Sequence, residues 1–222
     1  MIAVILPSRG LIFSQVLDAV HRELQNSFKP SFINPFFTSD NLAIPDCLNV
    51  LVDQAVRHFD YLWFVEEDTV PYDGALSDMI DLIRRPENGA AACQYPLTGG
   101  TSSVIENEKG EVLFSGFGCT LVRASVLQKL KKPYFRSDYG IQLPENKWKK
   151  MPKNSYGLHD LWFFTQLRKA GYKIAKAPGV CKHLKLEALG QQEVNNGLHI
   201  IGEKATECRR NVLEIDPLNT KW

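Results

Sequence analysis

The chain has 222 residues, 44% of them hydrophobic and 23% charged, which is the composition of a folded globular protein with enough length for a real core. A formal net charge of +1 excludes any global electrostatic case for nucleic-acid or membrane-surface binding. Five scattered cysteines (Cys47, Cys93, Cys119, Cys181, Cys208) include no CxxC pair, which argues against a disulfide framework and a zinc site and favours a reducing compartment. The sequence opens without a basic leader, and no apolar run approaches ~20 residues, so a cytoplasmic protein without a membrane span is expected.

Residues 2–6 are an unbroken apolar run ended by Pro7-Ser8-Arg9-Gly10, the pattern of a buried parallel strand and a polar turn. Phe13, Val16, Leu17, Val20 and Leu24 then recur at helical spacing. A second strand is expected at 31–37. A helix follows from Pro45-Asp46, with Leu48, Leu51, Val52, Ala55, Val56 and Phe59 on one face. Strand 61–65 leads into three consecutive acids, and a helix carrying Leu76, Met79, Ile80 and Ile83 precedes a strand at 90–95. This alternation predicts a parallel sheet covered on both faces. Beyond it, 99–103 reads as a flexible loop, 107–110 as a turn between short strands, and 117–122 as a strand entering a helix at 124–130. The segment 131–157 is irregular and contains the basic run Lys147-Trp148-Lys149-Lys150. A helix over 160–170, with Gly171 at its C-cap, leads to a last strand at 173–180 and a polar tail beyond Leu189.

Three places carry chemistry. In Glu66-Glu67-Asp68, strand alternation would put Glu66 and Asp68 on one side and Glu67 on the other. Two carboxylates so placed suit a hard divalent cation that also binds phosphate oxygens, and a solvated strand end is the plain alternative. In His159-Asp160, the acid stands before a strongly apolar helix, either as a helix cap or as a carboxylate able to accept a hydroxyl proton. His183 follows the last strand, where an imidazole would be presented as a metal ligand or would simply lie at the surface.

Taken in order, YLWFVEEDTVP, GFGCTLVRASVLQKL, GLHDLWFFTQLRKAGYKI and VCKHL make the chain resemble glycosyltransferases of the GT-A fold, especially the family 2-like enzymes, over about residues 1–185. The resemblance implies a Rossmann-like α/β fold with a mixed, mostly parallel sheet and helices on both faces. It implies one domain over 1–222, with a nucleotide-sugar half at about 1–97, an acceptor half at about 98–188 and a tail at 189–222. Asp68 matches the last acid of the family's DxD motif, which binds a divalent metal, Mn²⁺ or Mg²⁺, on the donor diphosphate. His183 matches the closing histidine that completes the metal site. Glu66 matches the donor-side acid, and Glu67 stands beside it. Asp160 matches the base that deprotonates the acceptor hydroxyl in inverting members. Pro7, Ser8 and Arg9 match the loop that meets the nucleoside. Asp40 and Asn49 would line the same pocket, and Gly116 to Cys119, with Gly118 among them, falls where donor sugar and acceptor meet. Two positions depart from the family: Glu replaces the usual Asp at 66, and His159 stands where an acid is usual.

The expectation is therefore a metal-dependent, hexosyltransferase-like enzyme. It would move a sugar from a nucleoside-diphosphate sugar, a UDP-sugar foremost, to an acceptor hydroxyl on a glycan, a small molecule or a modified nucleic acid. A nucleotidyltransferase is the nearest rival, although the Pro7-Ser8-Arg9-Gly10 turn is sparse for a phosphate-binding loop. A nucleic-acid-binding module built on Lys147-Trp148-Lys149-Lys150 is the non-catalytic rival.

Overall fold

The computed structural model describes residues 1–8, 12–27, 36–39, 42, 44–97, 100–137, 159–187, 199–201 and 209–212. Its elements run β1 (Ile2–Pro7), α1 (Ser14–Ser27), β2 (Phe36–Ser39), α2 (Asp46–Ala55), β3 (Tyr61–Val65), β4 (Thr69–Val70), α3 (Ala75–Ile83) and β5 (Asn88–Gln94). They continue with β6 (Thr101–Glu106), β7 (Val112–Phe114), β8 (Cys119–Arg123), α4 (Ala124–Leu127), α5 (His159–Lys169) and β9 (Lys173–Val180). The short strands β10 (Lys182–His183), β11 (Lys185–Glu187), β12 (His199–Ile201) and β13 (Arg209–Val212) follow.

Among the described residues the main sheet has the order β2-β1-β3-β8-β5-β9. All its pairings are parallel except those of β8, which is antiparallel to both β3 and β5. The alternation of strands and helices predicts a parallel set, and β8 breaks it for a simple reason. No crossover helix separates β5 from β8, only the β6–β7 excursion, so the chain re-enters the sheet reversed. The outcome is a mixed, mostly parallel α/β sheet of the GT-A type.

Both faces of the sheet are dry. Ala3, Ile5, Leu62 and Phe64 point to the face covered by α2 and α5, where Leu48, Leu51, Phe163 and Phe164 meet them. Ile2, Val4, Trp63 and Val65 point to the other, against Val16 and Val20 of α1 and Leu76 and Met79 of α3. Period-two alternation along β1 and β3 therefore feeds two cores at once, which is why these strands read as unbroken apolar runs. Each fully buried Val, Leu, Ile, Phe or Met side chain among them contributes roughly 1.5–3 kcal/mol.

Several expectations shift at element edges. Residues 101–103 belong to β6, since Ser103 N–H donates to the Tyr95 carbonyl and Pro96 bridges Ser102. The turn at 107–110 closes as expected, with Gly110 at φ +82° and Glu111 N–H bonded to the Asn107 carboxamide. The helix expected at 124–130 shortens to the four residues of α4. Gly171, at φ +86°, ends α5 as its C-cap position requires. The polar tail is not wholly tail: β13 adds to β6 in parallel, held where Arg210 donates to the buried Glu106 carboxylate at 2.7 Å. Of the strand expected at 31–37, residues 36–37 open β2; residues 31–35 and the basic run at 147–150 lie outside the described residues.

Candidate functional site

The acid triplet leaves the carboxyl end of β3, but strand alternation stops at Val65. Residues 66–68 form a turn, closed by Thr69 N–H donating to the Glu66 carbonyl at 3.1 Å. The turn, rather than continued strand alternation, orients the three acids: Glu66 and Asp68 both lie close enough to act on His183 and Tyr95, while Glu67 acts on Cys47. Glu66 N–H donates to the Gly118 carbonyl across the β3–β8 edge. Glu67 is buried, its carbonyl receives Phe13 N–H, and its carboxylate lies toward α2. There, burial first and then the Glu67 and Asp46 charges push the Cys47 thiol up to about 11.

Asp68 meets His183. The two are far apart in sequence, and a two-strand ladder brings them together: Thr69 of β4 pairs with His183 of β10, and Leu184 N–H donates to the Asp68 carbonyl at 2.7 Å. His183 Nε2 then stands 3.5 Å from Asp68 Oδ2. Its other nitrogen, Nδ1, lies 2.9 Å from the Pro96 carbonyl, which can only accept, so Nδ1 carries a proton and Nε2 is the atom turned to Asp68. Burial works against a charged ring, but the Asp68 carboxylate and the Pro96 carbonyl outweigh it, and His183 titrates above the ordinary imidazole value.

Asp160 lies in the first turn of α5, which is seated by an aromatic cluster. Phe163 stacks on Phe135 at 5.3 Å, Phe164 on Phe117 at 5.2 Å, and His159 packs against both Phe117 and Phe135. Asp160 Oδ1 is sealed and lacks a hydrogen-bond partner among the described residues; His159 Nδ1 is 3.6 Å away. The side chain as a whole keeps 23% exposure, so one edge of the carboxyl is open. Burial raises its pKa against the opposing pull of His159.

Tyr95, which no local sequence pattern marks as a site residue, stands among these groups. Its hydroxyl accepts from Gly118 N–H at 3.3 Å, and its ring packs edge-on against His183 at 5.1 Å. Burial, then the charges of Glu66 and Asp160, and more weakly Asp68, hold its phenol protonated. A Cβ at Gly116 would lie 2.0 Å from the Tyr95 hydroxyl, and one at Gly118 2.5 Å from the ring and 2.6 Å from Thr69 Oγ1. Gly116 and Gly118 thus make room for Tyr95. The sequence held one usable signal: Gly116-Phe117-Gly118 beside a strand implies something bulky closing on the backbone.

The remaining expected residues sit on other elements, with the end of β1 directly beside the end of β3 in the sheet. Pro7 ends β1, paired with Ser39 of β2, and Ser8 is buried beside it. The Asn49 carboxamide exchanges two hydrogen bonds with the Phe135 backbone, at 2.9 and 3.1 Å, holding that segment to α2. Arg9 and Asp40 lie outside the described residues. No described helix is long and apolar enough to cross a membrane.

No protein-family model and no curated protein sequence matches the chain. Solved structures do share its fold. The crystal structure of A197 from STIV superposes with a TM-score of 0.59 at 18% identity, covering 84% of this chain and 86% of that one. S. aureus TarS 1-349 superposes with a TM-score of 0.52 at 11% identity, covering 81% of this chain and 59% of that one. Identities this low speak for shared architecture, and chemistry has to be argued from the site.

Proposed function

We propose that the chain is a metal-dependent glycosyltransferase that moves a sugar from a nucleoside-diphosphate sugar to an acceptor hydroxyl, with Asp160 as the general base. The observation that carries this reading is the Asp68–His183 pair at the carboxyl end of the sheet, with Glu66, Tyr95 and Asp160 around it. An oxygen and a nitrogen 3.5 Å apart fit two adjacent ligand positions on one divalent ion, given ligand bonds of roughly 2.0–2.2 Å. The Nδ1–Pro96 bond supports the fit, since a backbone carbonyl on the far nitrogen is the usual way to aim an imidazole at a metal. Bound there, Mn²⁺ or Mg²⁺ would neutralise the charge that develops on a departing diphosphate.

The chain's own groups would do the rest. Glu66 faces the donor side, next to the Gly118 carbonyl. Tyr95 keeps the His183 ring in place and presents a protonated hydroxyl among three carboxylates. Asp160, with its pKa raised by burial, has the basicity to take a proton from an acceptor hydroxyl at its open edge. Pro7, Ser8, Arg9 and Asp40 belong to the nucleoside end of this reading, and UDP is the nucleotide to try first.

Hydrolysis of a panel of nucleotide sugars with Mn²⁺ present tests the proposal. Turnover of at least one of them is expected, lost on chelation and lost in Asp68→Ala. If calorimetry with Mn²⁺ finds no nucleotide sugar that binds, the reading fails. Release of pyrophosphate from a nucleoside triphosphate and a sugar phosphate would favour a nucleotidyltransferase. Asp160→Asn is expected to keep donor binding and to lower transfer by about 10²–10⁴-fold. Normal transfer by that variant would leave Asp160 a helix-start residue only.

A further inference from the structure

Cys93, Cys119 and Cys181 are separated by long stretches of sequence, yet their sulfurs all lie within 4.8 Å of one another. The sheet makes the cluster. Ala92 of β5 pairs with Thr120 of β8, so one step along the ladder sets Cys93 opposite Cys119. Cys181 leaves the end of β9 and its N–H donates to the Gln94 carbonyl at 2.8 Å, bringing the third sulfur alongside. All three side chains turn to the face that packs against α1 and α3, and none is exposed to solvent.

Two further observations distinguish this cluster from three small core residues. The first is the indole N–H of Trp63, fully buried, without an ordinary hydrogen-bond partner, and beside the Cys119 sulfur. A buried donor left unsatisfied costs about 1–3 kcal/mol, and a sulfur made anionic by a metal is the acceptor it lacks. The second is a break in the β5–β9 register between Ala92 and Gln94, directly at Cys93, an irregularity of the kind that re-aims side chains next to sites.

We propose that Cys93, Cys119 and Cys181 bind one soft, thiophilic cation, copper(I) foremost, in three-coordinate sulfur geometry. Metal–sulfur bonds of about 2.3 Å would hold three sulfurs roughly 4 Å apart, so the side chains need close only slightly. No fourth His, Cys, Asp or Glu joins the group among the described residues, which disfavours the tetrahedral site zinc takes. Three soft donors in a dry setting suit a monovalent d¹⁰ ion instead. The displaced thiol protons leave to solvent, so binding weakens as pH falls. The site uses other side chains than the Asp68–His183 pair, although Cys181 stands two residues before His183, and it does not depend on the transferase reading.

The reduced full chain is titrated anaerobically with copper(I) against a chromophoric copper(I) chelator, and in a parallel arm with zinc(II) against a zinc chelator. One copper(I) withheld per chain is expected, lost in Cys119→Ala and kept in Cys47→Ala. No copper withheld, or as much withheld by Cys119→Ala as by the parent chain, overturns the site. Zinc withheld as tightly as copper overturns the three-coordinate assignment. Should Cys119→Ala fail to fold, the parent chain still decides. Copper(I) must slow alkylation of Cys93, Cys119 and Cys181 under mild denaturant while leaving Cys47 unchanged, and equal rates at all four would refute the proposal.

Discussion

At His183 the two ring nitrogens face different chemistry: Nδ1 donates to a backbone carbonyl, and Nε2 looks at the Asp68 carboxylate. On the proposed reading, a metal ion would compete with a proton for that second nitrogen. Because the folded pKa is raised, the ion pair's contribution to stability is complete below the unfolded imidazole value of about 6.5 and is lost as pH rises through the folded value. Mn²⁺ affinity should rise across that same window. Asp68→Asn should lower the His183 pKa in an NMR titration of the ring protons; an unmoved titration would show that the pair is not formed in solution. Asp160 carries the opposite sign. Its raised carboxyl pKa means stability falls as pH climbs from the unfolded to the folded value, so the ionised acid is a cost at neutral pH. Asp160→Asn should accordingly melt at a higher temperature than the parent chain while losing transfer, a trade common at catalytic groups.

Glu23 of α1 shows how one element sets the entry of another. Its buried carboxylate accepts from Gly74 N–H at 2.8 Å and Leu76 N–H at 3.0 Å, satisfying two orphan donors at the start of α3. Gly74, at φ +93°, makes the turn that presents them. Glu23→Ala removes both bonds and leaves the donors buried, so urea unfolding should register a loss of about 1–3 kcal/mol. A loss below ~0.5 kcal/mol would mean that water replaces the carboxylate. The same logic runs through the site. β4 and β10 are two residues each, yet their pairing is what puts Asp68 beside His183. β8, by entering reversed, delivers Gly116 and Gly118 to the carboxyl ends of β3 and β5.

In the whole molecule, two apolar layers clamp one sheet, and the polar groups that can act on a ligand gather where β3, β5 and β9 end and β8 begins. A ligand bound at that edge stabilises the folded chain by mass action, about 2.7 kcal/mol at a hundredfold excess over its dissociation constant. Mn²⁺ with UDP should therefore raise the melting temperature by several degrees. Chelation should reverse the rise, and Asp68→Ala should abolish it. A shift of equal size in Asp68→Ala would move the metal elsewhere.

Much of this was readable from residues alone. The apolar run Tyr61 to Val65, the helical spacing of Leu48, Leu51, Val52 and Ala55, and Gly171 after α5 each obey a local rule, so they name their elements without help from the rest of the chain. Asp68, Asp160 and His183 could be singled out because each stands at an element end, where polar groups emerge from apolar runs. Local rules say nothing about which ends meet. The direction of β8, the place of Tyr95 and the convergence of three cysteines all depend on contacts between distant segments. Hydrophobic periodicity and capping are short-range, so the main strands and helices and the acid cluster are legible residue by residue. That Asp68 faces His183 across a two-residue ladder emerges only from the fold, because strand pairing is long-range and leaves no mark in either segment's own pattern.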